Sequence, residues 1–174
     1  MSEWSLRQWS LVGLGFCVAM MAVALGLEHL VGLEPCPLCV FQRVAVIAAG
    51  LVFAVAALHG PRGTFATVAY SILAALAVLS GIAVAGRHLW LQSLPADQVP
   101  SCGPGLDYMI DVLPLQKVIA SVLSGSGECA EVGATLLGLS LPGWTLIGFV
   151  VLLAVPVGML TTLRATTSGY RWNG

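Results

Sequence analysis

The sequence predicts an all-α membrane protein: a four-helix bundle with a short amphipathic helix in its second outer loop. Three observations carry this. The chain is 58 % hydrophobic and only 9 % charged, with a mean hydropathy of +0.95, whereas soluble domains carry about a quarter charged residues. Four apolar segments approach the ~20 residues that cross a ~30 Å hydrocarbon core at 1.5 Å per residue. One long polar loop separates the last two. Lipid offers no partner to an open backbone, so the spans are helices. One integral membrane domain accounts for residues 1–174. A net charge of -1 excludes the basic face that nucleic-acid binding needs.

The first span is Leu11–Leu27. Arg7 ahead of it and Ala22-Val23-Ala24 within it suggest a secretory leader, but the apolar run continues past that site, so the segment is expected to stay as a span. The second is Val40–Leu58, the third Phe65–Ala85 and the fourth Trp144–Thr162. Four crossings put both termini and the 59–64 turn on one side, with loops 28–39 and 86–143 on the other. Arg7, Arg62, Arg164 and Arg171 fall on the terminal side; Arg43, Arg87 and Lys117 fall on the loop side. The positive-inside rule therefore places the termini in the cytoplasm. Disulfides persist in the periplasm and are reduced in the cytosol, which puts the cysteine-bearing loops outside.

Within the long loop, Leu115, Val118, Ile119, Val122 and Leu123 follow helical apolar spacing. Pro114 suits the start of that helix, and Ser124-Gly125-Ser126-Gly127 ends it. It either lies flat on the membrane or packs on the bundle. Trp90 and Trp144 fit an interfacial aromatic belt.

The chemistry lies in four cysteines on one side. Cys36-Pro37-Leu38-Cys39 is a C-x-x-C at the head of the second span. That spacing lets each sulfur reach the other, and a helix N-terminus favours the thiolate. Arg43, one turn beyond Cys39, supplies a cation on the same face. An arginine within an apolar run costs up to ~3 kcal/mol at mid-membrane unless it meets a partner or cavity; the bland reading is snorkelling to the headgroups. Glu28, His29, Arg87 and His88 fall at the same level, and together they suggest a polar ring around the C-x-x-C, suited to the carbonyl head of a membrane quinone. For His88, plain interfacial exposure is the competing reading; His29 and His59 are read as interfacial only.

Cys102 and Cys129 bracket a Gly-, Pro- and Ser-rich stretch. As a permanent staple they would add about 3 kcal/mol in the loop-entropy model; as neighbours of a C-x-x-C they suit exchange. A Cys₄ zinc site is disfavoured, because the 102 and 129 spacing is not that of a zinc knuckle. Cys17, mid-span, reads as a small hydrophobe.

Glu34-Pro35-Cys36-Pro37-Leu38-Cys39-Val40-Phe41-Gln42-Arg43 resembles the DsbB family, the bacterial disulfide bond formation proteins. The likeness continues through Arg87-His88-Leu89-Trp90-Leu91-Gln92, Cys102, Leu113-Pro114-Leu115, Ser126-Gly127-Glu128-Cys129-Ala130-Glu131 and Leu141-Pro142-Gly143-Trp144. It covers nearly the whole chain. The resemblance implies an inner-membrane oxidoreductase that reoxidises a periplasmic DsbA-like thiol oxidase and passes electrons to ubiquinone or menaquinone. It further implies redox disulfides Cys36–Cys39 and Cys102–Cys129. Cys102 would form the mixed disulfide with the partner, Cys36 would exchange with the loop pair, and Cys39 would face the quinone beside Arg43 and His88. One local departure is the expanded Gly103-Pro104-Gly105-Leu106 stretch, which bears on partner affinity. The competing classes are a quinone reductase of the vitamin K epoxide reductase type, which usually carries its C-x-x-C late in the chain, and a redox-inactive four-span scaffold, which has no need of Arg43 beside the cysteines.

Overall fold

The computed structural model describes residues 4–61, 63–95, 97–100, 106–125, 127–132 and 135–170, with side chains up to Leu163 except that of Asp107. Cys102, Arg62, Arg171 and the Gly103–Gly105 expansion lie outside the described residues. Among the described residues, four helical segments are long and apolar enough to cross a membrane: α1 (Leu6–Val31), α2 (Pro37–His59), α3 (Thr64–Gln92) and the Leu141–Leu163 segment.

Each extends beyond the apolar run that announces it. α1 begins at a capping box in which Ser5 and Gln8 exchange hydrogen bonds, and ends at Gly32 in the left-handed region. α2 starts from Cys36 as N-cap, with Pro37 in its first turn. α3 continues past Ala85 to Gln92, which carries Arg87 and His88 on a helix rather than in a loop. The fourth span is broken: α7 (Leu141–Leu152) is followed by α8 (Ala154–Tyr170). Pro156 has no N–H to offer Leu152, so the ladder is interrupted where the segments meet.

α1 packs on α2, α2 on α3, and α3 on α7 and α8, and α8 returns to α1. The core of this ring holds Phe53, Val78, Phe149, Leu152 and Met159, all nearly inaccessible. Small residues let the helices close. A Cβ on Gly81 would lie 2.3 Å from the Phe149 ring, and one on Gly13 would lie 2.9 Å from Phe53. Ser10, Thr67 and Ser71 return their hydroxyls to the carbonyls of Leu6, Gly63 and Thr67, which satisfies them without water. The outer faces stay apolar, with Leu58, Phe65 and Leu30 almost fully exposed, as a lipid-facing surface requires.

The loop between α3 and α7 contains α4 (Leu106–Val112), α5 (Leu115–Ser124), α6 (Gly127–Ala130) and a hairpin of β1 (Thr135–Leu136) and β2 (Leu139–Ser140). α5 is the helix that the Leu115–Leu123 periodicity predicts. It packs on the bundle through Val118 and Val122, while Leu115, Ile119 and Leu123 remain exposed. Its inner face meets Leu38 of α2, Leu91 of α3, Met109 of α4 and Cys129 of α6 in a second apolar cluster.

Candidate active site

The two loop-side helix ends carry the site. Cys36, at the N-cap of α2, turns its backbone outward (φ -67°, ψ 163°), and Cys39 lies in the first turn. Their Sγ atoms are 3.2 Å apart. Residues three apart share a helix face, so this closeness follows from the spacing.

His88 reaches the pair from α3. It is 2 % exposed, with Nε2 3.8 Å from Cys36 Sγ and Nδ1 4.0 Å from Cys39 Sγ. Gln42, one turn beyond Cys39 and 4 % exposed, places its amide nitrogen 3.2 Å from His88 Nδ1. With that amide donating, Nδ1 accepts, and the ring proton sits on Nε2 toward Cys36. The sequence reading missed Gln42. The available signal was a polar residue within an apolar run, one helical turn beyond a cysteine.

Arg43 makes an ion pair with Glu28 of α1 and donates from Nη2 to the carbonyl of Ala24 at 3.2 Å. It is thereby held inside the bundle mouth rather than snorkelling. The expected polar ring is only partly formed. Glu28, Arg43 and His88 belong to it, but Arg87 and His29 do not. Arg87 turns toward the loop, where Nε and Nη2 donate to the carbonyls of Leu123 and Ser124 at 3.0 and 2.9 Å and the guanidinium stacks 4.1 Å from the Trp90 ring centre. These contacts cap the C-terminus of α5, where a cation complements the helix dipole. His29 is exposed. His59 stays at the far end of the bundle, 2.8 Å from the Tyr70 hydroxyl.

Two cavities meet at the cysteines. The larger, of about 490 Å³, opens between α1, α2 and α7; Phe16, Met20, Val46, Ile147 and Val151 make its apolar walls, while Cys39, Gln42 and Arg43 stand at its polar end. The smaller, of about 370 Å³, lies on the loop side and is lined by Cys36, Cys39, His88, Glu34, Glu128 and Glu131. Arg43 thus belongs to the lateral cleft, and His88 to the loop-side cavity. Cys129, 1 % exposed, packs in the apolar cluster that Cys36 flanks.

The family model for the disulfide bond formation protein DsbB matches residues 6–159. The chain belongs to the DsbB family. It is 60 % identical over 156 residues to a disulfide bond formation protein B of Chromohalobacter salexigens, covering 90 % of this chain and 91 % of that one. Proteins of the same description from Marinobacter nauticus (53 % identity, 85 % of this chain and 86 % of that one) and Acinetobacter baumannii (57 %, 78 % and 79 %) are similarly related. A DsbB-family chain with four spanning helices is a multi-pass membrane protein of disulfide bond formation, and the paired sulfurs of Cys36 and Cys39 are suitably placed for that chemistry. The buried imidazole lies 3.8 and 4.0 Å from the two sulfurs through different ring nitrogens, and Arg43 stands one turn beyond Cys39, so the two sulfurs sit in unlike environments.

Proposed function

We propose that the chain is a protein-dithiol:quinone oxidoreductase of the bacterial inner membrane, with both termini in the cytoplasm and the cysteine loops in the periplasm. The observation that carries this reading is the lateral cleft. Its walls are apolar over most of their length, and its polar end brings Cys39, Gln42 and Arg43 together. That donor set fits a quinone, since the guanidinium and amide N–H groups suit a carbonyl head while the apolar walls suit an isoprenoid tail. A bound quinone would supply a two-electron, two-proton acceptor, and ubiquinone and menaquinone share the features recognised.

A periplasmic DsbA-like dithiol reduces the Cys102–Cys129 disulfide, with Cys102 taking the mixed disulfide. Cys129, in the apolar cluster that Cys36 flanks, then attacks Cys36, and Cys39 leaves as the thiolate. The His88 N–H toward Cys36 steadies charge on that sulfur, and Arg43 steadies it at Cys39. The Cys102 thiol next attacks Cys129, which restores the loop disulfide and releases Cys36 as a thiol; when the Cys36–Cys39 bond re-forms, those two thiols give up two electrons and two protons to the acceptor. The net change is partner dithiol to partner disulfide and quinone to quinol.

The test is turnover of purified protein with a reduced DsbA-like partner and short-chain ubiquinone or menaquinone. Cys39→Ser is expected to abolish quinone reduction while the protein elutes and melts as the wild type does. Arg43→Ala is expected to raise the quinone KM more than it slows exchange with the partner. Wild-type quinone reduction by Cys39→Ser would refute the reading.

A further inference from the structure

We propose that the reduced form of this site is a chelating site for a thiophilic cation, Zn²⁺ in the first instance, formed by Cys36, Cys39 and His88. The inference rests on the reading that this pair cycles between dithiol and disulfide. The donor atoms come from two helices and lie within 4.8 Å of one another. A tetrahedral zinc centre with Zn–S near 2.3 Å and Zn–N near 2.0–2.1 Å sets its sulfurs about 3.8 Å apart and each about 3.6 Å from the nitrogen. The distances here are 3.2 Å between the sulfurs and 3.8 Å from Cys36 Sγ to Nε2. The sulfurs must part by about 0.6 Å, and Cys39 Sγ, within 4.8 Å of the ring nitrogen, must close on it by up to about 1.2 Å, through rotation of the side chains, to reach the metal geometry.

The chemistry of the surroundings agrees. Two thiolates and a neutral imidazole cancel the charge of Zn²⁺, which suits a half-buried site at the membrane edge. Gln42 stands on the other ring nitrogen, the place of the outer partner that orients a metal-bound histidine. Turning its amide end for end lets the oxygen accept from Nδ1–H while Nε2 takes the metal. The loop-side cavity reaches all three donors, and the carboxylates of Glu34, Glu128 and Glu131 line it. That cavity gives a cation an electrostatically favourable approach and leaves the fourth position to water or a carboxylate.

The site is gated by redox state. Zn²⁺ binds by displacing the two thiol protons to solvent, and no electrons move. Once the Cys36–Cys39 disulfide forms, the thiolates are gone and so is the site. Zinc and disulfide formation therefore compete for the same two sulfurs, and free zinc in the periplasm slows reoxidation of the dithiol.

The experiment uses full-length protein, reduced and held under anaerobic conditions, against a sample oxidised with the thiol oxidant diamide, with Zn²⁺ measured by competition with a chromogenic chelator. One equivalent per chain is expected in the dithiol form and none in the disulfide form. The same stoichiometry is expected when Cys102 and Cys129 are both serine, which removes the loop sulfurs as alternative ligands. His88→Gln is expected to weaken binding at least tenfold. Co²⁺ on the wild-type dithiol is expected to show a tetrahedral visible spectrum with sulfur charge transfer, a readout that needs no variant to fold. Equal uptake by both redox forms, wild-type affinity in His88→Gln, or loss of binding in the double serine variant would overturn the proposal. Binding is measured without quinone or partner. Zinc retention without turnover would therefore sink the oxidoreductase reading alone, and turnover without zinc retention would sink this one alone.

Discussion

At the scale of single residues, the least expected participant is Gln42. A buried glutamine in a membrane helix needs a partner, and His88 supplies it at 3.2 Å. Replacing the amide by an alkyl group leaves a buried ring nitrogen unpaired, at a cost of about 1–3 kcal/mol. It also frees the ring to change tautomer, so that the N–H no longer points steadily at Cys36. Gln42→Leu is therefore expected to lower the melting temperature and to change the relative alkylation of Cys36 and Cys39, measured by mass spectrometry after a brief iodoacetamide pulse. In a His88→Gln background the alkylation effect should vanish, because Gln42 acts through His88. An undiminished effect there would assign Gln42 a different role.

At the scale of elements, two contacts hold the site in shape. The first is Arg87, which secures the end of α5 and so the cluster in which Cys129 packs. Arg87→Ala is expected to speed amide hydrogen exchange across α5 and to slow oxidation of a protein partner. Reaction of Cys36–Cys39 with a small dithiol should persist, since α2 and α3 pack independently of that cap. Equal loss of both reactions would place Arg87 in the chemistry itself. The second contact is the packing of α3 on α7. Gly81 sits under the Phe149 ring with no room for a methyl group, so Gly81→Ala is expected to destabilise the bundle by about 1–3 kcal/mol, the usual cost of overpacking. Adding Phe149→Leu should recover part of the loss in a thermal melt.

For the whole molecule, the four spanning segments put the α1–α2 and α3–α7 connections at one end, and the cysteines with them. The proposed orientation predicts that a membrane-impermeant maleimide added to intact spheroplasts labels a cysteine placed at Glu131 and spares one placed at His59, in a background without other cysteines. The reverse pattern would invert the topology. The broken fourth span has a bearing here as well. Pro156 divides it below the level of the cleft, while α7 contributes Ile147 and Val151 to the cleft wall.

The sequence by itself determined a great deal of this protein, for local reasons. Apolar run length marks four spans, because a helix in lipid must bury its own backbone polarity. C-x-x-C spacing brings two sulfurs onto one face of a helix, and the period of Leu115–Leu123 reveals α5. Span ends were less legible because hydropathy changes gradually, whereas caps such as Ser5–Gln8 and Gly32 stop a helix at one residue. The β1–β2 hairpin was hidden because its turn uses Leu137 and Gly138, both at positive φ, in place of the usual Asn-Gly signal. Tertiary structure alone decided which neighbours in sequence part company in space. Arg87 and His88 are adjacent, yet about 100° of helical rotation separates consecutive side chains. That turn sends Arg87 to cap α5 and His88 to the sulfurs of α2, and only the packing of α3 on α2 and on the loop says which goes where.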